Sequence, residues 1–133
     1  MSLAAITSIM QSRVWPDHAQ AMHAELAKSL RLAGFYVWLE YPTKAFGDIR
    51  DRRLDILVRG RGGFMAAIEL DARKPRRKSV EKLRLVDGFR IVGVRGVEDV
   101  SRPDGIDAVV TMRVRAATEF EKADRRTVNR DAA

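Results

Sequence analysis

Two short apolar runs on either side of a glycine-rich turn, Arg53-Leu54-Asp55-Ile56-Leu57-Val58 and Ala66-Ala67-Ile68-Glu69-Leu70-Asp71, constrain this chain more than any other feature. Aliphatic stretches of this length punctuated by Arg61-Gly62-Gly63 read as two strands joined by a three-residue hairpin loop, with glycine where the backbone needs a positive φ. If Gly60 faces Phe64, paired positions sum to 124, which sets Val58 against Ala66, Ile56 against Ile68 and Leu54 against Leu70. Side chains alternate along a strand, so one face of the hairpin is wholly apolar. The other carries Asp55 opposite Glu69, with Asp71 one step further on the same side.

An acid inside a strand that otherwise reads as core is costly to desolvate unless a cation or hydrogen-bond donors compensate it. Two carboxylates at cross-strand distance also repel, which raises at least one pKa, whereas a divalent cation turns the repulsion into coordination. Oxygen ligands suit magnesium or manganese. The other reading of the same residues is a solvent-facing strand whose acids pair with Arg53, Arg59 or Arg73.

The total formal charge of +7 is less informative than its distribution. Residues 50 to 95 hold 14 Lys and Arg against 6 Asp and Glu, a local excess of 8 that more than accounts for the whole. Arg73, Lys74, Arg76, Arg77 and Lys78 follow Asp71 at once, and Arg50, Arg52 and Arg53 precede Asp55. A polyanion drawn to these side chains would have its phosphates beside the carboxylates. There is no cysteine, which excludes disulfides, zinc thiolates and thiol nucleophiles, and His18 and His23 are too few for a histidine-based cluster. No run approaches the length of a membrane span, and Leu3 to Met10 lacks the charged flank of a signal peptide, so a cytoplasmic protein with no membrane contact is expected.

Residues 1–15 read as an N-terminal apolar segment, either a dimer contact or a packed helix, 16–112 as one core domain, and 113–133 as a charged helix or tail. Within the core, Ala19, Met22, Leu26, Leu30 and Ala33 follow three-four spacing before Gly34, which predicts a helix with Glu25 at the edge of the apolar stripe. Phe35 to Tyr41 reads as a strand ended by Pro42. Ser79 is expected to cap a short helix over Val80 to Asp87, followed by a strand at Arg90 to Val94 that lies parallel to the Glu69 strand. Ile106 to Val110 reads as one more strand. The fold class is α/β, a mixed sheet in αβββαβ order flanked by helices. Trp15, Trp38, Phe46 and Phe64 are aromatic enough to stack on a base, though core is the commoner place for such residues.

A helix with Glu25, a strand with Asp55, a strand with Glu69-Leu70-Asp71, then a basic helix and a strand resembles the restriction-endonuclease-like core of the PD-(D/E)XK nuclease superfamily over roughly residues 16 to 95. In size and basic surround it is most similar to phage-type endonucleases, junction resolvases and very-short-patch repair endonucleases. The resemblance implies a metal-dependent DNA endonuclease with a magnesium or manganese cofactor. It assigns Asp55, Glu69 and the Leu70 carbonyl to the metal and Glu25 to the helix-borne acid of many members. Two positions depart from the pattern. Leu54 replaces proline, and Asp71 stands where lysine is usual. Asp71 is then a metal ligand or general base, and Lys74, Lys78 or Lys82 supplies the positive charge, with Lys82 favoured because it is expected in the first turn of the helix that follows the motif strand. The alternative the resemblance leaves open is a nuclease fold without catalysis, retained for nucleic-acid binding or assembly. Many nucleases of the class act as dimers, so a homodimer is an expected assembly.

Overall fold

Ser2 accepts a hydrogen bond from the Ala5 amide and so caps α1, Leu3–Gln11, in the computed structural model, which describes residues 1–96 and 100–123. A two-residue strand, β1 (Trp15–Pro16), leads to α2, Ala19–Leu32, whose N-terminus is capped by the His18 imidazole accepting from the Ala21 amide. The three-four spacing is realised, with Met22, Leu26, Ala27 and Leu30 buried and Gly34 at φ 97° just past the helix end. β2 (Tyr36–Pro42), a 3-10 turn, β3 (Arg53–Arg59), the hairpin loop and β4 (Met65–Asp71) follow. The chain continues through α3 (Arg77–Leu83), β5 (Phe89–Arg95), β6 (Ala108–Met112), β7 (Val114–Arg115) and α4 (Glu119–Ala123).

Five strands form one mixed sheet in the order β2-β3-β4-β5-β6, antiparallel as far as β4 and parallel from there on. α1 and α2 cover one face over Ile56, Val58, Ala66, Ile68 and Ile91. α3 covers the other over Leu57, Ala67, Val92 and Val94. β1 and β7 form a separate parallel pair in which Trp15 stands beside Val114. The architecture is therefore α/β, with helices on both faces of a mixed sheet.

The hairpin register is as expected from the loop to Ile56–Ile68, while the expected Leu54–Leu70 pair is not formed. The Gly60 amide donates to the Phe64 carbonyl at 3.0 Å, and Ile56 pairs with Ile68 and Val58 with Ala66. Gly62 and Gly63, at φ 67° and 77°, supply the left-handed backbone that the loop needs. One face is not continuous, however. Glu40, the single non-glycine residue with positive φ (51°) among the described residues, stands across from Asp55 between the pairs Leu39–Ile56 and Tyr41–Leu54. Alternation breaks there, so Leu54 and Tyr41 join Leu57 and Trp38 under α3, while Ile56 and Leu39 pack under α2. Leu54 does not share a face with Ile56, as uninterrupted alternation had required.

Two further expectations are corrected. Residues 1–15 are no separate segment: Ile6 and Met10 are fully buried in the main core, and the buried Trp15 indole donates to the Met10 carbonyl at 2.8 Å. The apolar face of α1 is thus spent on the chain's own core, not on a dimer contact. Ser79 lies inside α3 and caps nothing; its hydroxyl donates to Asp71. Of the stretch 113–133, Val114–Arg115 is strand and Glu119–Ala123 helix, and residues 124–133 lie outside the described residues. Among the described residues no helix is long and apolar enough to cross a membrane.

Candidate active site

β3 stays paired with β2 as far as Arg53, and β4 stays paired with β5 as far as Asp71, but the register between β3 and β4 runs only from Arg59–Met65 to Ile56–Ile68. The sheet opens at Asp55 and Glu69. Their side chains take over the work of the missing ladder: the Asp55 amide donates to Glu69 Oε2 at 2.6 Å, and the Leu70 amide donates to Asp55 Oδ2 at 2.8 Å. Each acid therefore satisfies the backbone of the opposite strand and is locked in place by it.

Helices close the opening from both sides. From α3, the Lys82 ammonium is in direct contact with Glu69 Oε1 and also donates to the Arg53 carbonyl at 2.8 Å. From α2, His23 Nε2 stands 3.7 Å from Asp55 Oδ2. The Glu69 side chain is fully buried, whereas Asp55 keeps 23% of its side-chain surface exposed and so faces the way in.

Burial, and after it the Asp55 charge, pushes the Glu69 carboxyl up to about 7, against the opposing pull of Lys82. A raised acid was expected from repulsion alone; desolvation is the larger cause. His23 is held below its ordinary value, chiefly by burial, although the Asp55 and Glu40 charges act the other way. Both directions favour the neutral forms of the two buried groups.

Asp71 has a different environment from the one the sequence suggested. Its fully buried carboxylate accepts from the Arg76 amide (2.8 Å), Arg76 Nε (2.9 Å) and Ser79 Oγ (2.8 Å), which staples the turn between β4 and α3. Glu25 pairs with Arg13 at 3.3 Å, two residues along from the position that faces Asp55. Sequence reasoning chose Glu25 and passed over His23. A helical wheel at about 100° per residue carries the missed signal, because it sets His23 between Leu30 and Ala27 inside the apolar stripe and Glu25 outside it.

The basic residues divide similarly. Arg52 is held by Asp48 (2.9 Å) and Glu81 (3.5 Å), and the Arg53 guanidinium lies 3.4 Å from the Glu40 carbonyl. Arg73, Lys74 and Lys78 are exposed, as is Arg77 despite its contact with Glu81. β4 ends at Asp71, so Arg73 does not continue its face. Lys74, Arg76, Arg77 and Arg84, with Glu81 among them, line a groove of about 670 Å³ beside α3 together with Val80 and Pro103. Trp15 is buried, and Trp38, Phe46 and Phe64 are half-buried against the two cores.

Asp55 and Glu69 supply two carboxylates of the kind that hold magnesium or manganese together with water and substrate phosphate. Leu70 contributes its amide to Asp55, which fixes the chain whose carbonyl the sequence assigned to a metal. Among the described residues no three His, Asp or Glu side chains stand close enough to hold an ion unaided. Comparison with protein-family models, with curated proteins and with solved structures finds no match to this chain.

Proposed function

We propose that this chain is a metal-dependent DNA endonuclease with a restriction-endonuclease-like core running from α2 to β5. The observation that carries the reading is the opening between β3 and β4, where the buried Glu69 and the half-buried Asp55 are each clamped by the opposite backbone, with a lysine brought in from the next helix. A purely structural strand has no need to give up its ladder and set one acid in the core beside another at its mouth. In this reading Asp55 and Glu69 hold magnesium or manganese, which when bound supplies an acidified water and neutralises charge on the scissile phosphate. Lys82 fills the part of the lysine absent at position 71, moving from Glu69 Oε1 toward the phosphate oxygens as the site fills. Asp71 does not take part in the reaction; it orients α3, and through it Lys82. Arg73, Lys74, Arg77, Lys78 and Arg84 hold the DNA backbone on either side.

A second reading has support of its own. The contact of Lys82 with Glu69 and the stapling of Asp71 are also what an inactive fold would use to neutralise inherited acids, leaving a DNA-binding or assembly module. Incubation of supercoiled, linear and branched DNA with magnesium or manganese separates the two. Wild type should cut, Asp55→Ala should not, and Lys82→Met should cut about 10²-fold to 10³-fold more slowly with little change in DNA affinity. DNA binding without cleavage of any substrate would establish the second reading. Cleavage by Asp55→Ala at the wild-type rate would remove the site from consideration.

A further inference from the structure

The side of the opening opposite Lys82 carries an imidazole with nothing to bond. His23 Nε2 is shielded from solvent and makes no hydrogen bond, on a side chain only 13% exposed. One turn earlier on α2, Gln20 Oε1 is likewise buried and unbonded. A buried polar atom without a partner is costly, so two of them three residues apart call for a ligand. The spacing to Asp55 says which kind. At 3.7 Å the pair is too far apart for a hydrogen bond, while two ligands each about 2.1 Å from a cation stand at most about 4.2 Å apart.

We propose that His23 joins Asp55 as a ligand of the divalent cation, and that its nitrogen makes the site select manganese, or a similar first-row transition ion, over magnesium. The inference rests on the nuclease reading and goes beyond it in assigning the α2 side of the opening. Carboxylate and water ligands serve both ions, but an imidazole nitrogen favours the softer one. Gln20 lies beside it as an acceptor for ordered water. Because His23, Asp55 and Glu69 are too far apart to enclose an ion as a triad, solvent and substrate oxygens complete the shell. Glu40, across β2 from Asp55 and felt electrostatically by His23, adds negative charge on the same side.

Calorimetric titration of manganese and of magnesium into wild type, His23→Asn and Asp55→Ala tests this, together with pulsed electron paramagnetic resonance of the manganese-loaded wild type. Wild type should bind manganese at least tenfold more tightly than magnesium and show modulation from a directly bound nitrogen. His23→Asn should lose the nitrogen signal and most of the preference, with magnesium affinity changed less than threefold. Absence of nitrogen modulation in the wild type, which needs no variant to fold, would overturn the proposal, as would an unchanged manganese-to-magnesium ratio in His23→Asn. If both ions still bind through Asp55 in that case, the nuclease reading stands and only the role of His23 falls. If wild type binds neither ion, both fall together.

Discussion

Replacing Asp71 by alanine distinguishes a staple from a catalytic acid. The carboxylate is fully buried and accepts three hydrogen bonds, and the partners it would leave behind differ in cost. The Arg76 side chain is 63% exposed, so its guanidinium returns to water at little expense. Ser79 is fully buried, and its hydroxyl, like the Arg76 amide, would be left without an acceptor. At about 1–3 kcal/mol for each stranded group, Asp71→Ala should cost about 3 kcal/mol. With a urea slope of about 2 kcal/mol/M, the unfolding midpoint should fall by about 1.5 M with the slope unchanged. The same changes make a double-mutant cycle informative: Ser79→Ala should destabilise wild type by about 1 kcal/mol and the Asp71→Ala variant by much less, since its partner is already gone. A loss below about 0.5 kcal/mol, or additive effects of the two substitutions, would refute the staple. A protein that keeps its midpoint and loses only activity would restore Asp71 to the reaction.

Other consequences are as direct. Because the folded Glu69 carboxyl titrates near 7 against an ordinary 4.5, the unfolded chain releases that proton first and stability drains away as pH rises between the two values. Relative to Glu69→Gln, wild type should lose about 2–3 kcal/mol between pH 5 and 8; the comparison is made at matched pH because the depressed His23 works in the opposite sense, and parallel stability curves would refute the assignment. Alanine at Arg73, Lys74, Arg77 and Lys78 together should weaken duplex binding regardless of sequence and lower the slope of log affinity against log salt by up to about 0.9 per contact removed, measured by fluorescence anisotropy. Gly88→Ala should cost at least about 1–3 kcal/mol by thermal or urea unfolding, because the new methyl would meet the Met65 carbonyl oxygen at 2.6 Å and backbone cannot step aside as a side chain can.

Features that depend on local rules were legible in the sequence. The pair Gly62-Gly63 fixes the loop, the loop fixes the register as far as Ile56–Ile68, and that register leads Asp55 toward Glu69, where the ladder itself gives way to side-chain bonds. α2 and the parallel placement of β5 follow in the same way from spacing and element order. What depends on tertiary position was not legible. The break in alternation at Glu40 needs a non-glycine residue in the left-handed region, which no propensity announces. Ser79 has the chemistry of a cap, but Asp71 lies within reach and α3 starts two residues earlier. His23 and Glu25 differ by two positions on one helix, and the wheel already sets His23 inside the apolar stripe, but that His23 there meets Asp55 depends on how α2 lies on the sheet. Lys82 was expected in the first turn of the helix after the motif strand; α3 starts at Arg77, so Lys82 sits in its last turn, and the packing of α3 on the strand brings it to Glu69.

The short β1–β7 clasp has a consequence for how the chain acquires its fold during synthesis. Trp15 and Asp17 bond to Arg113 and Arg115, and α1 packs beside β6, so α1 has no complete berth until nearly 100 further residues have been made. At ordinary elongation rates that wait is on the order of 5–20 s, during which Ile6, Met10 and Trp15 are without their final cover. The β3–β4 hairpin needs no such distant partner and can form as soon as it emerges. The middle of the chain can therefore organise before the segment that was made ahead of it, and α1 waits for β6 and β7.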